Sequence, residues 1–392
     1  MNRVILLLAT MFCAGVTVAG KTPVAPTDQP LATILWTKPI CLEKGRYIGW
    51  PTVALTRKGT LIAAFSGDRD GHICPWGKAQ IVRSTDGGET WSEPKTIYNS
   101  PLDDRDCGLT VLPDGEILLI TFSGPTWRQI PGFDKEDYKP DSREFQWRKH
   151  AEKLPEEVVA RHSGIWALRS RDDGITWSEP ERLANIPSFT PHGPIVLSDG
   201  SLFQAGRMHY SDGRCRINTM RSTDGGHNWT ELCHEVPTLP GENDKPNSLH
   251  EPHTVELADG RLLMLVRYEV RNYCLRQAVS SDKGLTWTPL ASTGMLGHPA
   301  HVIRLQDGRL LCTFGRRCPR PTGFGEYACV SNDEGKTWDV EREIYISAHD
   351  AGDLGYPSTV QLDNGDLLTV YYQPPASGEK CPCLMATKWR LK

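Results

Sequence analysis

Repetition constrains this chain more than any other feature. An eight-residue pattern, Ser-x-Asp-x-Gly-x-Thr-Trp, recurs as STDGGETW (84–91), SRDDGITW (170–177), STDGGHNW (222–229), SSDKGLTW (280–287) and SNDEGKTW (331–338). Each copy is a turn with its own internal logic. The Asp accepts backbone hydrogen bonds, the Gly takes a conformation other residues resist, and the Trp folds back over the turn. The Asp of this pattern is therefore structural and not a catalyst. A second pattern interleaves with the first: an apolar strand, a turn ending in Gly, and another apolar strand. It occurs at 55–65, 111–122, 196–206, 256–267, 304–315 and 361–372. Each of these six is a strand pair joined by a tight turn, and a Trp-ending turn follows each of the first five.

Six units of about four short strands predict an all-β fold, a six-bladed β-propeller. A β-sandwich needs no six copies, and a TIM barrel needs helices this sequence lacks. The 36 glycines and 29 prolines fit many turns and short strands. The final segment, CPCLMATKWRLK, is expected to close the ring. One unit is longer than the rest, and its excess at about 125–164 is polar, charged and partly helical in pattern. It is expected to lie over one face as a long loop, in the position of a lid.

Charged residues make up 23% of the chain and the net charge is -4, which excludes a nucleic-acid binder and a polybasic membrane surface. Residues 1–20 read as a signal peptide: Arg3, the apolar run VILLLATMF, then small residues suited to cleavage. That run is too short to span a membrane and no later segment is long and apolar enough. The expectation is a single domain over 21–392, secreted or periplasmic. Eleven cysteines follow the signal segment, an odd number, and export predicts two to four disulfides among them. No cysteine pair has zinc-knuckle spacing, no loop has a recognised calcium spacing, and no metal or cofactor is expected. The sequon Asn228-Trp-Thr230 lies inside a repeat.

The repeat and the blade count resemble the sialidase (neuraminidase) superfamily, whose propellers carry such Asp boxes, also called BNR repeats. The resemblance spans nearly all of 21–392. It implies hydrolysis of a terminal sugar by an Asp acid/base and a Tyr nucleophile that a Glu activates, with three arginines gripping the substrate carboxylate. A planar guanidinium suits two carboxylate oxygens. HEPHTVELADGRLLMLVR matches the family's Glu and Arg at Glu251 and Arg267, the following blade offers Arg316 in LLCTFGRR, and GDLGYPSTVQL offers Tyr356. The bland alternative makes Glu251 a solvated charge, the two arginines partners of loop acids, and Tyr356 a packed aromatic.

The resemblance places the acid/base in SGDRDGHICPWGK, with Asp70 first and Asp68 and His72 behind it. Trp76 in the same segment either stacks on a sugar or packs. Asp106 matches a residue that contacts the sugar ring, with Arg105 beside it. Arg69, His72, His192, Arg207 and His301 complete the expected substrate-binding set, and His298 falls near His301. The departure from the family lies in the first blade. The first carboxylate-gripping arginine is absent, and Gly49-Trp50-Pro51 stands in its place. The last-blade Glu that would hold it is missing too, which leaves Arg46 or Arg69 as replacements. The expected function is exo-acting hydrolysis of a terminal, acidic sugar from a glycan. The alternatives are a related glycosidase for a uronic acid or deoxy sugar, and a non-catalytic carbohydrate-binding propeller.

Overall fold

The computed structural model describes residues 31–134, 137–183, 190–209, 214–241, 248–269, 273–317, 323–350 and 352–392. The expected signal peptide at 1–20 lies outside them. Six four-stranded antiparallel sheets form the blades of a propeller. The first blade runs Tyr47–Leu55, Leu61–Arg69, Lys78–Ser84 and Lys95–Tyr98, from the axis outward. The innermost strands of the other five are Asp103–Val111, Ile195–Val196, Leu249–Glu256, Ala300–Arg304 and Gly355–Gln361.

The ring closes differently from the expectation. In the sixth blade the C-terminal strand Cys383–Leu391 is third from the axis, and Ala32–Cys41 pairs with it as the outermost strand. The N-terminal segment thus completes the last sheet and ties the two chain ends together. It belongs to no repeat, so the repeat pattern could not reveal it.

The boxes behave as local chemistry dictates. In the first, the Asp86 carboxylate accepts from Ser84 Oγ at 2.7 Å and from the Thr90 amide at 2.9 Å, and Trp91 Nε1 donates to the Gly88 carbonyl at 3.0 Å. The Thr hydroxyl and amide hold the Asp172 and Asp282 carboxylates down at about 2. The box also pegs one blade to the one before it. A Cβ on Gly284 (φ 96°) would lie 2.4 Å from Phe203, and one on Gly335 would lie 2.3 Å from Leu263. Only glycine permits that approach.

The cysteines differ from the expectation as well. Cys41, Cys74, Cys107, Cys233, Cys274, Cys312, Cys329, Cys381 and Cys383 carry free thiols. Most are buried at blade positions, where they pack as small apolar groups. Burial pushes Cys41 and Cys383 up to about 12.

Strands alternate in direction, so the strand-pair turns and the boxes share one face. The starts of the inner strands and the ends of the second strands share the other. The 125–164 segment rises from that second face as a short turn Thr126–Gln129, helix α1 (Arg143–Ala151) and helix α2 (Glu156–His162). Ser142 caps α1 by accepting the Phe145 amide at 3.2 Å. Trp127, Phe133, Trp147, Val159 and Leu102 form a small core of its own, against which Ile73 and Trp76 of the first blade pack. No helix among the described residues is long and apolar enough to cross a membrane.

Candidate active site

Four inner strands share one irregularity. Each carries a bulge at its start, where two residues oppose one on the neighbouring strand. The ladder steps from Gly49–Ser66 to Thr52–Ala64, from Arg105–Phe122 to Gly108–Ile120, from His250–Arg267 to His253–Leu265, and from Gly355–Tyr372 to Ser358–Val370. The first bulged residue is in every case a non-glycine at positive φ: Trp50 (53°), Asp106 (54°), Glu251 (44°) and Tyr356 (55°). Such conformations are costly and re-aim side chains. Here they come from the first, second, fourth and sixth blades. Pro51, Pro252 and Pro357 follow three of them, where a missing N–H is tolerated because the ladder is already broken.

Tyr356 and Glu251 meet directly. The Tyr356 hydroxyl donates a short hydrogen bond to Glu251 Oε1. Arg267 Nη1 donates to Glu251 Oε2 at 2.7 Å and lies 3.4 Å from the Tyr356 oxygen, and its Nη2 reaches Glu269. Burial alone would raise the Glu251 carboxyl. The Arg267 charge and the Tyr356 hydroxyl outweigh it and hold the group well below the usual carboxylate range. Burial, then the Glu251 charge, pushes the Tyr356 phenol far above its ordinary value. The pair is therefore a neutral phenol hydrogen-bonded to an ionised base.

Asp106 belongs to the same neighbourhood. Its Oδ1 is buried without a partner, and burial raises its carboxyl to about 6, against the lowering pull of Arg105 and with a raising push from Glu251. Asp70 is placed differently. It pairs with Arg46, and Trp147 of α1 donates to its Oδ2 at 2.8 Å. Arg46 also donates to Asp68 at 2.8 Å. His72 opens onto the basin, with its ring edge-on to Trp50 at 5.0 Å and its Nδ1 3.4 Å from the Tyr47 hydroxyl. The enclosing wall, then the charges of Arg105, Arg317 and Arg69, push its imidazole down to about 3.

The rest of the expected set divides. Arg69 is fully buried and binds Asp103 with both terminal nitrogens, so it is a structural pair under the basin. Arg316 turns to Glu343 at 2.7 Å and to the Leu296 carbonyl at 2.8 Å, and the guanidinium over the Tyr356 ring, at 5.3 Å, is that of Arg317. Side chains on a strand alternate faces, so a one-residue difference decides which arginine looks inward. Both line a cavity of about 300 Å³ with Arg267, Glu269 and His298. Trp76 packs under the insertion, edge-on to His150 at 5.4 Å. Arg207 reaches His250 Nδ1. His192 and His301 lie on the axis beneath Tyr356 rather than on the basin wall. With His253 they form a cluster with ring centroids 4.4–5.5 Å apart, His253 and His301 stacked and His192 edge-on to both, lining an axial cavity of about 490 Å³. Burial holds all three imidazoles below their ordinary value. No cluster of three or more metal-ligating side chains occurs among the described residues.

Several contributors are not in the expected set. Trp50 is 1% exposed and packs with Tyr47, Tyr356 and Tyr372. Tyr47 and Tyr372 both donate to Asp353 Oδ1, at 3.0 and 3.2 Å, and Arg317 Nη2 donates to the Tyr372 hydroxyl at 2.8 Å. The adjacent tyrosines 371 and 372 at a strand end were the visible signal for this aromatic wall.

Residues 59–370 match the family described as BNR repeat-like domain. The chain belongs to that family, within the sialidase superfamily of BNR-repeat propellers. It is similar to a sialidase of Bacteroides fragilis, 24% identical over 82% of this chain and 59% of the relative. A sialidase of Micromonospora viridifaciens is also 24% identical, over 94% of this chain and 58% of the relative. The chain thus spans somewhat under three fifths of the length of these relatives. Among solved structures, a protein of unknown function from Dyadobacter fermentans superposes with a TM-score of 0.73 at 22% identity, covering 93% of this chain and all of that one.

Proposed function

We propose that the protein is an exported exo-acting glycoside hydrolase of sialidase type that releases a terminal acidic sugar from glycans. The observation that carries this reading is the contact between Tyr356, Glu251 and Arg267 at the tips of two bulges. In the reaction, the Tyr356 oxygen attacks the anomeric carbon and passes its proton to Glu251. The bond to the leaving-group oxygen breaks, and a carboxylic acid protonates that oxygen. Water then releases the sugar from tyrosine, and the proton returns. A neutral phenol suits an anionic substrate because it approaches without charge repulsion. Arg267 Nη1 lies 3.4 Å from the reacting oxygen and Arg317 stands over its ring, which supports a role for both in binding the substrate carboxylate.

Two carboxyls compete for the acid role. Asp70 has the place the family resemblance implies, on the first-blade loop. Asp106 has the carboxyl that burial raises to about 6 and the unpartnered oxygen. Comparing Asp70→Asn with Asp106→Asn on substrates with good and poor leaving groups assigns it, since loss of the acid spares only the good ones. The function itself is tested with a panel of chromogenic sialosides, uronides and neutral glycosides. The expected result is turnover of an acidic glycoside, reduced at least about 10³-fold in Tyr356→Phe. Turnover of none, with glycan binding intact, contradicts it.

A further inference from the structure

The first-blade stretch from which the family's arginine is missing, Gly49-Trp50-Pro51, carries Trp50 at its bulge, and the structure shows which cations stand around it. Arg46 is engaged by Asp68 and Asp70. Arg69 is engaged by Asp103, whose oxygens also receive Thr126. Arg105 is different. Its guanidinium lies flat over the Trp50 ring, 3.9 Å from the centroid. Its ion-pair partner, Asp103 Oδ2, is 3.9 Å away, beyond hydrogen-bond reach, and its Nε is buried with no partner. The residue is 8% exposed.

A buried N–H without an acceptor is expensive, and a buried guanidinium without a hydrogen-bonded anion is more so. The indole face offsets part of that cost and fixes the plane of the fork, but it accepts no N–H bond. The bulge that carries Trp50 toward the basin and the strand that carries Arg105 beside it thus produce a preoriented donor set with an empty acceptor position. The Arg105 charge is also felt at His72, which opens onto the same basin.

We propose that Arg105, held on Trp50, is the third guanidinium of this basin and binds the carboxylate of the acidic sugar. The clamp is then rebuilt from the second blade, with the aromatic platform of Trp50 next to the place where the first-blade arginine would be. This assignment rests on the proposed function and adds a specificity-determining residue to it.

The test measures binding of sialic acid and of a hexuronic acid, each against its neutral methyl ester, by calorimetry. Wild type, Arg105→Met and Arg105→Lys are compared. Methionine keeps apolar packing on Trp50 while removing the charge, and circular dichroism melts verify that each variant is folded. The expected result is that wild type prefers one acid to its ester. Arg105→Met loses about 30-fold or more for that acid and less than about 3-fold for the ester, with Arg105→Lys between. Equal weakening of acid and ester, or no weakening of either, overturns the assignment while leaving the proposed function standing. A wild type that prefers neither acid overturns the acidic-sugar reading, and the assignment with it.

Discussion

The two sides of the basin are built on opposite terms. Around Tyr356 the reacting groups have opposite charges within hydrogen-bond reach: Glu251 with Arg267, and Arg267 with Glu269. Around Trp50 the corresponding space is aromatic, and it leaves an arginine Nε and a carboxyl oxygen without hydrogen-bond partners, on Arg105 and Asp106. On the first side the carboxylate that takes the proton is already ion-paired without a ligand, which suits chemistry. The second is incomplete without one and is suited to recognition. The same bulge serves both, so the difference lies in the residue at its tip and not in the fold.

If that division is right, Glu251→Gln has the largest effect. It removes the proton acceptor and leaves the Arg267 guanidinium without its main anion. A fall in kcat of about 10²–10⁴ is expected, with KM for the substrate changed far less. Next comes the arginine pair. Arg316→Ala breaks a buried ion pair with Glu343 and lowers stability by about 3–5 kcal/mol, read from denaturant unfolding. Arg317→Ala leaves stability closer to wild type and raises KM. If the two variants exchange these phenotypes, the inward assignment of Arg317 is wrong.

Asp106→Asn sharpens the comparison from the recognition side. Its carboxyl is raised to about 6 from an unfolded value near 3.8. The stability it contributes is present below the unfolded value and is lost as pH rises through about 6. The amide should therefore stabilise the protein by about 1–3 kcal/mol at pH 8 and by little at pH 4, as thermal melts at the two pH values would reveal. A gain of equal size at both pH values contradicts the raised carboxyl. Smaller still is Trp147→Phe, which removes the 2.8 Å hydrogen bond to Asp70. A loss of about 1 kcal/mol is expected, together with a shift in the pH–rate profile if Asp70 is the acid.

What the sequence revealed follows the range of the interactions involved. The boxes and strand pairs were legible because their hydrogen bonds close within a few residues, as Asp86 and Thr90 do. Glu251, Arg267 and Tyr356 were legible through family resemblance, since each sits at a fixed place in its blade. Arg316 and Arg317 were separable only by knowing which strand face turns inward. The packing of Trp76 and the engagement of Asp70 depend on an insertion some seventy residues away in sequence. His192 and His301 read as mouth residues because they open their blades, yet their strands lack the bulge seen at Trp50, Asp106, Glu251 and Tyr356. Their rings lie instead with that of His253, which sits just past the bulge on its own strand. Most of the free thiols are buried among strands as small apolar groups, which cysteine counting cannot detect.

The central claim is that the Tyr356 oxygen forms the covalent bond to the sugar. Mass spectrometry of protein quenched during turnover of a fluorinated acidic glycoside addresses it directly. The account predicts one glycosyl adduct, mapped by peptide fragmentation to Tyr356 and absent from Tyr356→Phe. Turnover with no adduct on Tyr356, or an adduct on a carboxylate such as Asp106 or Glu251, contradicts it.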